Sequence, residues 1–488
     1  MMMMEKSTKL SRMINRLRKS GMPRVLVLFL FIFIFMAITT KWLDTSILAG
    51  PIPEHIQQSK AFEAYTVSPN CYFKCMEELP VSPSTANSSA AGACPGYFQW
   101  IHEDLKPWKD TGITREMVER ARDAAHIRLI IVSGRLYVEK YKRAFQTRDL
   151  VTIWGILQLL RLYPGKLPDL DLMFECGDEP VILKSDYEGR GASIPPPLFH
   201  YCGNESTFDI VFPDWTFWGW SELKIKPWEF LKKDLQQTNE RMKWMDREPY
   251  AFWKGTAILS RSRLELMKCN LSNNQDWNAR LFDMDWKRKR REGFQNVDLE
   301  SQCTYRYKIY VEGHTWSVSQ KYILACDSVC LLITPHYYDF YTRGLLPTVH
   351  YWPINENEKC RSIKFAVDWG NKNTKEAQEI GKAGSKFVQE ELRMKYVYDY
   401  MFHLLYEYAK LLKYQPIVPK GAMEVCSEML ICSTKGLRKK FRKHTMVKSP
   451  ADSSPCILQP PHDQRTLQAL LKRKERLSKQ VELWEAGQ

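Results

Sequence analysis

Apolar and polar positions divide the chain into an unbroken apolar run, an aperiodic stretch, and a long region in which strand-like and helix-like patterns alternate. The run is residues 25–38, VLVLFLFIFIFMAI, and Thr39 and Thr40 carry the uncharged stretch to 16 residues before Lys41-Trp42 ends it. A membrane-spanning helix needs about 20 residues. Met22-Pro23 and Trp42-Leu43 extend the run toward that length, with Arg24 and Lys41 snorkelling. Lys6, Lys9, Arg12, Arg16, Arg18, Lys19 and Arg24 precede it against one acid, Glu5. A basic start and a short apolar stretch also fit a cleaved signal peptide. No small-x-small site follows, which favours an uncleaved signal anchor over residues 25–42. The basic tail 1–24 then stays in the cytosol and residues 43–488 face the lumen. Residues 43–93, rich in Pro, Ser and Ala and without sustained periodicity, read as a stem.

From Cys94 onward the periodicity implies a folded region. Residues 114–125 predict a helix with Thr114 as N-cap and Glu116 in the first turn. Residues 127–132 predict an aliphatic strand, 147–162 a helix closed by Pro164-Gly165, and 170–176 a buried strand followed by Gly177-Asp178. A second series follows: strands over 250–253 and 307–311, a helix over 318–325 and a strand over 329–333. Apolar positions from Ile380 to Leu412 mark a long amphipathic helical region, and residues 421–488 read as a basic tail ending in a surface helix over 466–484. Strands alternating with helices argue for an α/β fold with parallel sheets covered by helices. In such sheets ligands gather beyond the carboxyl ends of the strands. No internal repeat is visible.

Composition narrows the picture. Apolar residues are 44% and charged residues 26%, which excludes a mainly disordered chain. The net charge of +15 suits an anionic partner: nucleic acid, acidic lipid, acidic glycan or a nucleotide diphosphate. All 13 cysteines lie at or beyond Cys71, on the proposed lumenal side, where disulfides form. Sequons at Asn87, Asn204 and Asn270 fit the same route. The end of the chain, WEAGQ, is not a retrieval tetrapeptide, so retention in the ER or Golgi membrane falls to the anchor.

Several places carry candidate chemistry. Gly313 follows a strand, and Ser317 can cap the next helix, whose free N–H groups attract phosphate; an ordinary strand-to-helix turn has the same pattern. Lys254-Gly255-Thr256, with Arg261 and Arg263 beyond, pairs a glycine turn with cations, as a solvated basic surface also does. Asp178, just past an apolar strand, suits a general base whose pKa burial raises, or a cap. Residues 212–222, FPDWTFWGWSE, fit either an acceptor cleft or a packed corner. Lys287 to Arg291, KRKRR, reads as a solvated loop in a lumenal chain rather than a nucleic-acid site. Asp169/Asp171 and Asp283/Asp285 have metal-like spacing that is common by chance, so no metal is assigned.

Residues 94–105 (CPGYFQWIHEDL), 215–220 (WTFWGW), 247–255 (REPYAFWKG), 275–280 (QDWNAR), 303–308 (CTYRYK), 316–323 (WSVSQKYI), 395–403 (KYVYDYMFH) and 450–456 (PADSSPC) carry a resemblance. The chain resembles the Rumi-like protein O-glucosyltransferases, glycosyltransferase family 90, and especially their plant membrane-anchored members. The resemblance implies two Rossmann-like lobes of GT-B type, an N-lobe over 94–235 and a C-lobe over 236–420. It also implies a metal-independent, inverting transfer of glucose or xylose from a UDP-sugar to a hydroxyl. The acceptor is a Ser in an EGF-like repeat in the better-known members, or a glycan. The family's catalytic base falls on Asp178. Its donor contacts fall on Gly255, Thr256, Arg263 and Gly313, with His314, Thr315, Trp316, Ser317, Val318 and Ser319. Ser319 stands where the animal enzymes have Arg, and Lys321 or Lys254 is the expected replacement cation. Trp218, Trp220 and Glu222 are the acceptor-side candidates, although the animal peptide-binding segment aligns poorly there. The resemblance further implies a Cys303–Cys326 disulfide. A family member that has lost catalysis and binds glycan or protein in the lumen is the alternative.

Overall fold

The computed structural model describes residues 92–189, 191–292 and 299–487. Every described residue belongs to one compact unit. The expected cytosolic tail, the anchor over 25–42, nearly all of the stem, Cys71, Cys75 and the Asn87 sequon lie outside the described residues. Among the described residues no helix is long and apolar enough to cross a membrane.

The first sheet begins after helix α1 (Arg115–Arg120), which starts where the Thr114 hydroxyl accepts the Met117 N–H. Strands β1 (Ile127–Val132) and β2 (Arg135–Lys140) form a hairpin. Its two-residue loop, Ser133-Gly134, has positive φ at both positions (50° and 74°), the backbone that matches the twist of paired strands. Helix α2 (Arg148–Leu162) leads to β3 (Leu170–Phe174), which is buried throughout. Strands β4 (Leu198–His200) and β5 (Ile210–Val211) and helix α3 (Trp228–Arg241) complete this lobe. The strand order is β11-β2-β1-β3-β4-β5, in which β11 comes from the far end of the chain. Only β3, β4 and β5 run parallel; β1 is antiparallel to both β2 and β3. The expected parallel sheet is therefore mixed, because a tight turn joins β1 to β2 where a helical crossover was expected.

The second sheet is wholly parallel. It contains β6 (Glu248–Gly255), followed by α4 (Arg261–Leu266) and β7 (Ala279–Asp283). Then come β8 (Tyr305–Tyr310), helix α5 (Gln320–Leu324), β9 (Val329–Ile333) and β10 (Trp352–Ile354). The order β10-β9-β8-β6-β7 reverses direction between β6 and β8. That reversal opens a crevice at the carboxyl ends of those two strands, the usual ligand position in a doubly wound sheet. Apolar positions of alternate residues, including Trp253, Leu281, Ile309, Leu331 and Ile354, meet Ile363 and Ala366 of α6 (Lys359–Lys372) in one core. The amphipathic region from Ile380 is divided: α7 (Thr374–Lys386), a π turn over Phe387–Glu391, then α8 (Met394–Leu411).

The segment over 421–488 folds back onto both lobes rather than trailing as a tail. Strand β11 (Met423–Val425) pairs with β2 at the edge of the first sheet. Helix α9 (Gly436–Thr445) packs beside residues 215–223, placing Phe441 against Gly219. Helix α10 (Gln464–Ala486) buries Val481 in the second core, and Trp484 stacks near Trp352 and Trp369. Disulfides join Cys94 to Cys456, Cys269 to Cys360 and Cys303 to Cys326, the last as the resemblance implied. Cys426 and Cys432 are also disulfide-bonded, while Cys176, Cys202 and Cys330 are free and buried. The Asn270 side chain donates to the Leu281 carbonyl and accepts the Leu281 N–H, so the fold uses the amide that the sequon would modify.

Candidate active site

Asp178 lies on the loop that leaves the carboxyl end of β3. The loop is shaped by Glu175, whose carboxylate reaches His126 Nδ1 at 3.0 Å and His200 Nε2 at 2.8 Å, and accepts the Gly177 N–H at 2.7 Å. Burial pushes the Glu175 carboxyl up, but the two imidazoles outweigh it and hold the group down at about 2. A Cβ on residue 177 would lie 2.7 Å from Glu175 Oε1, so a larger residue there would push on the carboxylate that the two imidazoles hold.

The Asp178 side chain is 44% exposed, and its Oδ1 accepts from Arg148 Nη1 at 2.8 Å. The expected partly buried carboxylate is half in water and ion-paired with Arg148. Oδ2 takes no hydrogen bond among the described residues. Arg148, the first residue of α2, is itself buried, with its guanidinium 4.0 Å over the Trp215 ring and 5.2 Å over Phe145. Its Nη1 also reaches the Cys176 carbonyl at 3.4 Å. The Asp178 carbonyl accepts from Cys202 Sγ at 3.4 Å and from Thr315 Oγ1 at 2.7 Å. Thr315 belongs to the other lobe, so the loops at the ends of β3 and β8 touch. His314 and Glu179 make a second contact between them at 2.9 Å.

At the β6–β8 reversal sits Arg263 on α4. Its guanidinium donates to the carbonyls of Glu312 (2.9 Å), Thr256 (3.3 Å) and Val311 (3.3 Å), tying the ends of β6 and β8 together. A guanidinium has five N–H donors, so these bonds leave capacity for a ligand. No carboxylate pairs with Arg263 among the described residues, and burial pushes it down to about 10, still charged at neutral pH. A Cβ on Gly313 would stand 3.3 Å from Arg263 Nη2, so the glycine keeps backbone and guanidinium close. In front lies a cavity of about 330 Å³ lined by Ser260, Ser262, Gly313, His314 and Thr334, among others. Glu312, which also lines it, accepts the N–H groups of His336 (3.0 Å) and Tyr337 (2.8 Å). His336 Nε2 reaches Glu356 at 3.2 Å.

The other expected donor contacts divide. Thr256 is buried at the end of β6, its hydroxyl on the Met284 carbonyl at 3.1 Å. Ser317 donates its N–H to the Tyr310 hydroxyl oxygen (3.0 Å), and its Oγ bonds that of Ser319 at 2.8 Å. Val318 is partly buried beside them, and Trp316 is buried among His200, Tyr201 and Trp215. Lys254 is exposed, and strand alternation puts it on the sheet face opposite Trp253 and its Arg263 neighbour. Lys321 lies outside the cradle. It is buried, with Nζ 3.1 Å from Asp214 and 2.6 Å from Thr216 Oγ1 of the first lobe. Burial opposes its charge, yet Asp214 carries its pKa above the ordinary lysine value. The helix after Gly313 spans only Gln320–Leu324, so Ser317 stands before it rather than capping it.

On the acceptor side, Trp218 is buried and donates to the Tyr398 hydroxyl at 2.9 Å; it packs as core. Trp220 bonds Gln146 (2.6 Å), and Glu222 is held by Thr147 (2.7 Å) and Arg438 (3.2 Å), so these two adjoin the start of α2. The paired acids are engaged within the protein. Asp171 pairs with Arg128, Asp169 accepts the Ser133 N–H, Asp283 the Ala257 N–H, and Asp285 the Arg288 N–H. Sequence reasoning missed Arg148, Glu175, His336 and Glu356. Glu356 follows β10 as Asp178 follows β3, so strand-end position was the available signal. Arg148 had only a charged start to an apolar helix.

Residues 89–485 match the model of Glycosyl transferase family 90. The O-glucosyltransferase rumi of Drosophila melanogaster is 28% identical over 344 residues, covering 66% of this chain and 78% of that protein. The O-glucosyltransferase rumi homolog of Aedes aegypti is 26% identical over 380 residues, covering 75% and 90%. Protein O-glucosyltransferase 1 of Homo sapiens is 26% identical over 356 residues, covering 69% and 86%. The match takes in both sheets and both facing loops, and the chain belongs to glycosyl transferase family 90 as a Rumi-like member.

Proposed function

We propose that this protein is an inverting O-glycosyltransferase that moves glucose or xylose from a UDP-sugar to a hydroxyl of a protein or glycan, without a metal. The observation that carries the reading is the Thr315–Asp178 contact, which sets a free carboxylate oxygen beside the loop of the uncompensated Arg263. Asp178 Oδ2 takes the proton of the acceptor hydroxyl as its oxygen bonds to the anomeric carbon. The bond from that carbon to the diphosphate breaks on the opposite face, and UDP leaves with the electron pair. One displacement inverts the centre. Arg263 offsets the charge growing on the diphosphate, the kind of fixed electrostatic aid that usually dominates catalysis. Arg148 acts through Asp178: it fixes the carboxylate's direction, a positioning role. Glu312 and Glu356, carboxylates that line the cavity, suit the ribose hydroxyls rather than the phosphates. We place the reaction in the ER or Golgi lumen behind a type II anchor over residues 25–42.

The test is release of UDP from UDP-glucose and from UDP-xylose, each with and without chelator. Turnover of one donor in the presence of chelator supports the reading. Loss of all turnover on chelation points to a metal-dependent transferase. One observation favours the alternative of a catalytically inactive, binding-only member. Ser319 stands in place of the family's Arg, and Lys321 is held by Asp214, so Arg263 is left as the cradle's one buried cation among the described residues. Absence of turnover with either donor, alongside measurable UDP binding, selects that alternative.

A further inference from the structure

Helix α9 bears a charge pattern that the fold does not explain. Between Glu428 and Asp452 the sequence holds Lys435, Arg438, Lys439, Lys440, Arg442, Lys443 and Lys448 and no acid. Lys435 and Lys439, Arg438 and Arg442, and Lys439 and Lys443 stand four apart, a spacing at which like charges destabilise a helix. Arg438 and Lys439 also lie in the first turn, at the positive end of the helix dipole. The helix is nevertheless held firmly. Phe441 fills the space over Gly219, the Arg442 guanidinium donates to the Leu430 carbonyl, and Trp154 Nε1 donates to Thr445 Oγ1 at 2.9 Å. Lys435, Arg438, Lys440 and Lys443 are exposed, Arg438 on the side toward Gly219 and Glu222, with Lys448 just beyond. Among the described residues, no carboxylate pairs with any of these except Glu222 with Arg438.

The place of this face gives it meaning. At its start Arg438 shares a crevice with Thr147, the residue before the Arg148 that pairs with Asp178. At its end His444 meets the ring of Phe230 at 5.1 Å. Phe230 is 44% exposed, and Phe145, beneath which Arg148 lies, is 58% exposed. The 10-residue helix is thus a cationic track about 15 Å long that ends beside the half-exposed ring of Phe230. Carboxylates answer the cations, and the apolar faces of sugar rings answer the aromatics. We propose that this face binds an anionic glycan, a chain of uronate-type sugars, and leads its acceptor hydroxyl toward Asp178. Naming that glycan the acceptor rests on the transferase reading; the binding itself does not.

The experiment is fluorescence anisotropy of the full-length protein with labelled oligogalacturonide, an uncharged oligogalactan of equal length, polyglutamate, and phosphatidylserine vesicles. We expect salt-sensitive binding of the oligogalacturonide and at least tenfold weaker binding of the other three. The triple variant Lys435→Gln, Lys440→Gln, Lys443→Gln should lose at least tenfold in oligogalacturonide affinity with its thermal melt unchanged. Lys372→Gln, Lys375→Gln, Lys382→Gln, on exposed positions of α6 and α7, lowers net charge equally and should keep the affinity. Equal binding of the neutral glycan, tighter binding of polyglutamate or vesicles, or equal loss in both variants would overturn the proposal. UDP-sugar turnover by a protein that binds no oligogalacturonide would overturn the glycan face and leave the transferase reading standing. Oligogalacturonide binding without turnover of either donor would support the face and count against the transferase.

Discussion

Asp178 keeps one oxygen on Arg148 and offers the other, which separates two jobs that a single substitution can test. Asp178→Asn should lower transfer by about 10²–10⁴-fold, the usual worth of general-base help, while UDP affinity stays the same. Full transfer by that variant would remove Asp178 from the role. Arg148→Lys keeps the charge but loses the planar fork, so it should retain part of the transfer that Arg148→Met abolishes. A positioning role further predicts that Arg148→Lys lowers kcat while the donor KM stays the same; an equal rise in KM would make Arg148 merely structural. Arg263→Lys should weaken UDP binding by roughly 10- to 100-fold, the range of a lost charge-assisted hydrogen bond, read by calorimetry. Asp178, Arg263 and Gly313 were legible in the sequence because each stands at or beside the end of a strand. Lys321 was misleading for a physical reason: residue type speaks of charge, not of partner, and its partner Asp214 lies 107 positions away. Trp218 misled similarly, since an aromatic run reads alike in a cleft or in a core.

At the scale of elements, three of the five strands of the second sheet were legible, β9 as an uninterrupted apolar run and β6 and β8 through their aromatic residues. The β1–β2 hairpin was not recognised, although Ser-Gly between two strand-like runs is a turn signal. Strand β8 carries a cost that the pattern hid. Lys308 is buried without a carboxylate among the described residues, and its Nζ touches Cys326 Sγ at 3.5 Å. Burial pushes it down from the ordinary 10.5 to about 7. The unfolded chain therefore holds this proton up to about pH 10.5 and the folded chain only to about pH 7, so between those values stability from this group rises with pH. Lys308→Met should remove that slope and raise the melting temperature at neutral pH, as a pH series of melts would show. At the α9 contact, Gly219 has φ 96°, and a Cβ there would lie 2.7 Å from Phe441. Gly219→Ala should cost roughly 1–3 kcal/mol through strain and overpacking. A thermal melt equal to the parent's would contradict that assignment.

For the whole molecule, the alternation of helices and strands foretold two α/β lobes, but not how the chain closes. Residues 421–488 read as a basic tail because their charge masked a few apolar anchors: Val425, Phe441, Val481 and the Trp484 ring. Those anchors supply the edge strand of the first sheet, a buttress on its surface and a cover for the second core, and Cys456 ties the segment to Cys94. The consequence concerns biogenesis. A ribosome delivers the first lobe long before the last, at about 5–20 residues per second. Yet β2 waits for β11, and Cys94 for a thiol 362 positions later. The first lobe must therefore pass through synthesis with an unpaired sheet edge and a bare sulfhydryl, and late nonsense mutations would leave both permanently exposed to chaperone capture and disposal.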